Sequence, residues 1–139
     1  MKLIYTIILL FILGFESPKR ANITVIVTNI GEVKGQIIMT LYNKKADFLH
    51  REQKYKGAVV KIDSINVKYI FTNIPLGEYA ITLFHDENSN GKIDRNFIGL
   101  PSEGTAFSNN IRPSFGPPKY EDAMFDLVKD KTDYLRMVY

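Results

Sequence analysis

From Asn22 to Met137 the sequence runs in short bursts of alternating apolar and polar residues, each closed by Gly, Pro or Asn. No stretch holds a helical period long enough for a packed helix. Asn22–Ile30 is the clearest burst: Ile23, Val25 and Val27 are β-branched and sit at every second position, which suits a strand with one buried face. Gly35–Tyr42 sets Ile37, Met39 and Leu41 against Gln36, Ile38, Thr40 and Tyr42. Ile38 breaks the polar side, so this strand is covered on both faces or lies beside an edge contact. Asn29 and Gly31 supply turn chemistry, and the two segments are predicted to pair as a hairpin around Gly31–Lys34. Ala58–Ile62, Asn66–Thr72 and Tyr79–Phe84 follow as strands, the last two separated by a turn at Ile74–Gly77. Ala123–Val128 and Thr132–Val138 read as a closing hairpin across Lys129–Lys131. About seven short strands without a long helix predict an all-β fold, a single antiparallel β-sandwich, with a barrel as the alternative.

Two connections are longer. Asn43–Lys56 is rich in Lys and Arg, and Phe48 is predicted to pin it to the core while His50 faces solvent. Asn96–Pro118 mixes Gly and Pro with Phe97, Ile98, Leu100, Phe107 and Phe115. A loop of that length in a compact domain is expected to be an ordered excursion that carries function.

Leu3–Phe15 is an uncharged apolar run behind Met1-Lys2. It is shorter than the roughly 20 residues of a membrane-spanning helix and has the flanks of a secretory signal peptide. The expected division is a signal peptide over 1–21, with an ill-defined cleavage point, and a β-sandwich domain over 22–139. A retained anchor is the alternative. Removal of 1–21 takes away Lys2, Lys19, Arg20 and Glu16, so the formal charge falls from +3 to +1. That balance offers no basic patch for nucleic acid, and no apolar run in the mature chain is long enough to span a membrane. The chain has no Cys, which excludes disulfides and a lipid-bearing cysteine. The expected location is therefore exported, periplasmic or extracellular.

Local chemistry concentrates at Asp86–Asp94, where Asp86, Asn88, Asn90 and Asp94 space oxygen-bearing side chains around Gly91. On the template of a helix-loop-helix calcium loop these fill positions 1, 3, 5 and 9, with the Lys92 carbonyl at 7 and Gly at 6. The twelfth position is Phe97, which supplies no carboxylate; Glu103, and also Glu87, are candidates to complete the set. A structural Ca²⁺ of weak to moderate affinity is the expected cofactor. The competing reading is that Asn-Ser-Asn-Gly is turn chemistry with no ion. Zinc is disfavoured, since His85 is the only nearby nitrogen ligand.

No catalytic motif stands out. There is no Gly-x-Ser-x-Gly elbow and no phosphate-binding glycine pattern. His85 and Asp86, as strand neighbours, point to opposite faces. An enzyme would have to bring His85 and Glu103 together with a Ser such as Ser108 beneath the 96–118 excursion. For binding, Phe107, Phe115 and Tyr120 with Asn109, Asn110 and Arg112 either line a groove or roof one end of the domain.

The segments Asn73–Ala80, His85–Asp94, Phe97–Gly104, Phe107–Asn110 and Phe115–Pro118, with the opening Gly35-Gln36, resemble the exported bacterial family known as domain of unknown function 2141. The resemblance implies a secreted or periplasmic β-sandwich and brings no activity or catalytic residue with it. Pro75-Leu76-Gly77-Glu78-Tyr79 also resembles the corner of transthyretin-like and carboxypeptidase-regulatory-like sandwiches, a likeness of fold alone. The function expected is that of a binding or interaction module with a calcium-type loop, its partner a protein or glycan of the cell envelope. The alternative is an envelope hydrolase or transferase.

Overall fold

The computed structural model describes Ser17 and residues 19–139, so most of the expected signal peptide lies outside the described residues. The fold is all-β, with eight strands among the described residues: β1 (Arg20–Thr28), β2 (Gln36–Tyr42), β3 (Lys56–Lys61), β4 (Val67–Pro75), β5 (Gly77–Asp86), β6 (Thr105–Phe107), β7 (Phe125–Leu127) and β8 (Lys131–Arg136). A short α-helix, α1, covers Tyr120–Ala123, and single 3-10 turns lie at Lys45–Asp47, Arg51–Gln53 and Ser108–Asn110. No helix among the described residues is long and apolar enough to cross a membrane. The strands form two sheets, β4-β1-β8 and β3-β2-β5-β6, with β7 added to β5. β1 already includes Arg20 and the buried Ala21, residues on the signal-peptide side of the expected boundary.

Alternation predicted the strands well and their neighbours poorly. β1 buries Ala21, Ile23, Val25 and Val27, and β2 buries Ile37, Met39 and Leu41, all in one core shared by the two sheets. The expected β1–β2 hairpin does not form. β1 lies between β4 and β8, while β2 lies between β3 and β5 in the other sheet. The closing hairpin fails in the same way: β7 pairs with β5, and β8 pairs with β1 in parallel. A period of two fixes which face of a strand is buried, but two strands with matching apolar faces satisfy it equally well across a core.

β2 is buried on both faces. The Asn43–Tyr55 connection lies over the outer one: Arg51 stacks on Phe84 at 5.1 Å, and Phe48 meets Tyr42 edge-on at 5.4 Å. Phe48 also meets Tyr120 at 5.5 Å in a second apolar cluster with Ala80 and Ala123. Burial of one such ring contributes roughly 1.5–3 kcal/mol, enough to hold a charged connection down. His50 is solvent-exposed, as expected. At the β4–β5 corner the Tyr79 hydroxyl donates to the Pro75 carbonyl at 2.8 Å, which fixes the angle at which the chain changes sheets.

The largest departure is β6. It pairs Thr105–Phe107 with Thr82–Phe84 of β5 and cuts the expected 96–118 excursion in two. Because β6 runs antiparallel to β5, residues 87–104 stay at the Asp86 end and residues from Ser108 onward lie towards the other.

One buried carboxylate works against the fold. Asp133 points inward from β8, its Oδ2 is buried without a partner among the described residues, and burial raises its pKa although Lys131, 3.9 Å away, partly opposes this. A raised folded-state pKa means that stability from this group is present at low pH and lost as pH rises through that value. Asp133→Asn is therefore expected to stabilise the protein at pH 7 by about 1 kcal/mol, a gain that fades in acid. Urea unfolding of the two proteins at pH 7 and pH 4 checks it; an unchanged or lower midpoint at pH 7 rejects it.

Candidate binding end of the domain

The pairing registers bring the end of β1, the start of β2, the end of β5 and the end of β8 to one end of the molecule. Asp86, the last residue of β5, is inaccessible to solvent there. Its Oδ2 accepts from Gln36 Nε2 at 2.7 Å and from the Gly91 N–H at 2.8 Å, and its Oδ1 accepts from the Asn90 N–H at 3.0 Å. Burial alone would raise its pKa, but the bonds from Gln36 and from the Gly91, Asn90 and Ser89 N–H groups outweigh it and hold the carboxyl below its ordinary value.

Asn88 and Asn90 fold the loop over Asp86. Asn88 Oδ1 accepts from the Asn90 N–H at 3.1 Å, and Asn90 Oδ1 accepts from the Lys92 N–H at 2.8 Å. Ser89 and Gly91 take the positive φ values, 57° and 77°, that such a run of side-chain turns requires. The two amide nitrogens then donate to Asp94, Asn88 Nδ2 to Oδ2 at 2.7 Å and Asn90 Nδ2 to Oδ1 at 3.0 Å. Glu103 returns to the loop, as expected, in an unforeseen capacity. Its two oxygens accept from the Glu87 N–H and the Asp94 N–H, each at 2.9 Å, so it staples the loop's two ends together. Asp86, Asn88, Asn90, Asp94 and Glu103 therefore do converge, with each carboxylate oxygen accepting at least one N–H, while the Lys92 side chain is exposed. Among the described residues no cluster of three or more acidic or histidine side chains is arranged to hold a metal.

The proposed catalytic grouping does not assemble. His85 is fully buried: its Nε2 donates to the Lys34 carbonyl at 2.9 Å, and its Nδ1 accepts from the Tyr139 hydroxyl at 2.8 Å. This tautomer is inferred from the partners. Tyr139 in turn accepts from the Gly31 N–H at 2.8 Å, so the pair ties the chain's last residue to the β1–β2 connection. Ser108 lies beside Ile81, accepting from its N–H at 2.9 Å and donating to the Ala123 carbonyl. Ser108, His85 and Glu103 thus occupy three separate environments, each with its own structural partners.

Of the two alternatives for Phe107, Phe115 and Tyr120, groove or roof, Tyr120 follows the roof and Phe115 neither, being 98% exposed. Tyr120 is buried against Phe48, and Asn109 and Asn110 clip the backbone at Asp122, Met124, Tyr134 and Arg136. What remains is an open hollow of about 360 Å³ lined by Ile111, Arg112, Pro113, Pro118 and Asp122.

The feature that sequence reading missed is the tip of the loop. Phe97 is 100% exposed, Ile98 65% and Leu100 53%. They project from a tight, bonded turn. The Asn96 N–H donates to the Leu100 carbonyl and the Gly99 N–H to the Asn96 carbonyl, both at 2.9 Å. Asn96 Oδ1 accepts from the Ile98 and Leu100 N–H groups at 3.1 and 3.0 Å, and Arg95 Nη1 donates to the Gly99 carbonyl at 2.9 Å. Below it, Arg95 bridges Pro101 and the Ser102 N–H donates to the Asp94 carbonyl, which joins the tip to the Glu103 staple. The available signal was Asn96 three residues before Gly99, a turn pattern inside an apolar run.

No curated protein and no solved structure is detectably similar to the chain. A sequence model of the family described as "Uncharacterized protein conserved in bacteria (DUF2141)" matches residues 25–134.

Proposed function

The chain belongs to this uncharacterised bacterial family, and on that premise we propose that it is an exported binding module, periplasmic or extracellular, a two-sheet sandwich that uses its 95–101 tip to engage a component of the cell envelope. The observation that carries this reading is the pairing of full apolar exposure with an ordered turn. Burial of Phe97 and Ile98 on a partner would contribute about 1.5–3 kcal/mol each, and a tip already fixed by its own hydrogen bonds loses little entropy on docking. Large apolar side chains held out in this way are what interaction surfaces present. The expected result is that the protein sediments with isolated bacterial envelopes, and that Phe97→Ser with Ile98→Ser lowers the bound fraction about tenfold while leaving the melting temperature in place. Equal sedimentation of the double variant rejects the tip as the contact.

A second reading concerns the loop beneath the tip: a calcium-type cation held by Asp86, Asn88, Asn90, the Lys92 carbonyl and Asp94. It is supported by the convergence of Asn88 and Asn90 on Asp94. Binding would require the two amides to release Asp94 and offer oxygen instead of N–H. A site with so few charges has a Kd of about 10⁻⁴–10⁻³ M. In about 10 mM calcium the melting free energy should then rise by roughly 1.4–2.7 kcal/mol over chelator, and Asp94→Ala should abolish the rise. A melting temperature indifferent to calcium removes the cation from the reading.

A further inference from the structure

We propose that the envelope component met by the 95–101 tip is an anionic lipid surface, an inference that rests on the binding reading above. Charge is the first argument. Between residues 92 and 102 the exposed charged side chains are Lys92 and Arg95, both cationic. The nearby carboxylates are withdrawn: Asp94 accepts from two amides, Glu103 is 7% exposed and takes two N–H groups, and Glu87 is paired with Lys34 at 3.0 Å. Arg95 stands against the tip itself, through its bond to the Gly99 carbonyl. An apolar wedge with a basic collar matches a membrane interface, where rings sit at headgroup depth and cations meet lipid phosphate.

The backbone supplies the second argument. A segment that sits at headgroup depth is favoured when most of its polar main-chain groups are already bonded, because the acyl region below offers no replacement for water. The N–H groups of Asn96, Ile98, Gly99 and Leu100 are bonded within the turn, as are the Asn96, Gly99 and Leu100 carbonyls, which leaves the Phe97 N–H and the Phe97 and Ile98 carbonyls to be met by headgroups and interfacial water. The tip's composition argues against the alternatives. A glycan is ordinarily gripped by polar side chains beside an aromatic platform, and here the one side-chain acceptor next to Phe97, Asn96 Oδ1, is already occupied by the Ile98 and Leu100 N–H groups. A protein partner of ordinary stability needs roughly 800 Å² on each side, more than three projecting side chains provide. A wedge into lipid needs no complementary surface.

The chain contains no Trp, so Phe97→Trp places a single indole reporter at the tip. Phe115→Trp, at a site 98% exposed in the other half of the divided excursion, serves as its control. Both are made in the full chain, so any contribution of Leu3–Phe15 is common to the pair. With phosphatidylglycerol vesicles the Phe97→Trp emission should shift to the blue and be quenched by doxyl-labelled lipid, while Phe115→Trp stays unshifted. Phosphatidylcholine vesicles should have little effect. Arg95→Gln and Lys92→Gln should each weaken partition about fivefold at low salt, as expected for one surface cation. No shift with anionic vesicles, or equal shifts at both positions, overturns the proposal. A Phe97→Trp shift seen only with envelope material, and removed by protease or glycosidase, overturns the lipid while leaving the binding reading intact. Failure to bind envelopes at all removes both.

Discussion

Gly35→Ala is expected to destabilise the protein by about 3–5 kcal/mol, a large share of the roughly 5–15 kcal/mol that holds a domain folded. Gly35 lies at φ +66°, and a Cβ built there falls 2.2 Å from the Asp86 carbonyl oxygen and 2.8 Å from the Glu87 Cα. The left-handed conformation alone costs a non-glycine residue roughly 1–2 kcal/mol. The clash adds more, because the neighbour is backbone and has no rotamer to change. Relief requires moving the end of β5, which carries the Asp86 carboxylate away from Gln36, Asn90 and Gly91. Gly91→Ala is the control: its φ is +77°, yet nothing lies within 4 Å of the added carbon. It should lose only the conformational part, about 1 kcal/mol. Equal losses in urea unfolding would show that conformation, not crowding at Asp86, sets the cost.

Ile23, Val25 and Val27, or Ile37, Met39 and Leu41, announce their strands because a buried face recurs every second residue. Their neighbours were not legible, since alternation specifies a face and not a sheet, and so neither hairpin survived. β6 was missed because Thr105–Phe107 is too short to show a period and sits between glycine and an Asn pair. At the site, the convergence of Asp86, Asn88, Asn90 and Asp94 was readable from spacing, as was the return of Glu103. The job of those oxygens was not, because ion ligation and N–H acceptance ask for the same side chains at the same positions. His85 was harder still: its partners Lys34 and Tyr139 lie 51 and 54 residues away. Phe97 went unnoticed for the opposite reason, since nothing in a short apolar run marks which of its residues points outward.

Asp86→Asn tests the job of those oxygens directly. The carboxylate accepts from Gln36 Nε2 and from the Asn90 and Gly91 N–H groups. An amide in its place turns one acceptor into a donor facing donors, and a buried donor without a partner costs about 1–3 kcal/mol. With the lost charge-assisted bonds, the expected destabilisation at pH 7 is about 3–5 kcal/mol. The pH dependence follows from the depressed pKa of Asp86. Its contribution is complete above the ordinary Asp value near 3.9 and is lost as pH falls through the lower folded-state value. The deficit of Asp86→Asn relative to the parent should therefore be flat from pH 7 to about 4.5 and shrink below 4. Asp133 titrates in the opposite sense but is present in both proteins, so its effect cancels in the difference. Chelator separates the two accounts of the loop. If Asp86 works by accepting N–H bonds, the deficit is the same with calcium and without it. If it appears only when calcium is present, Asp86 is first of all an ion ligand, and the N–H bonds around it serve to aim it.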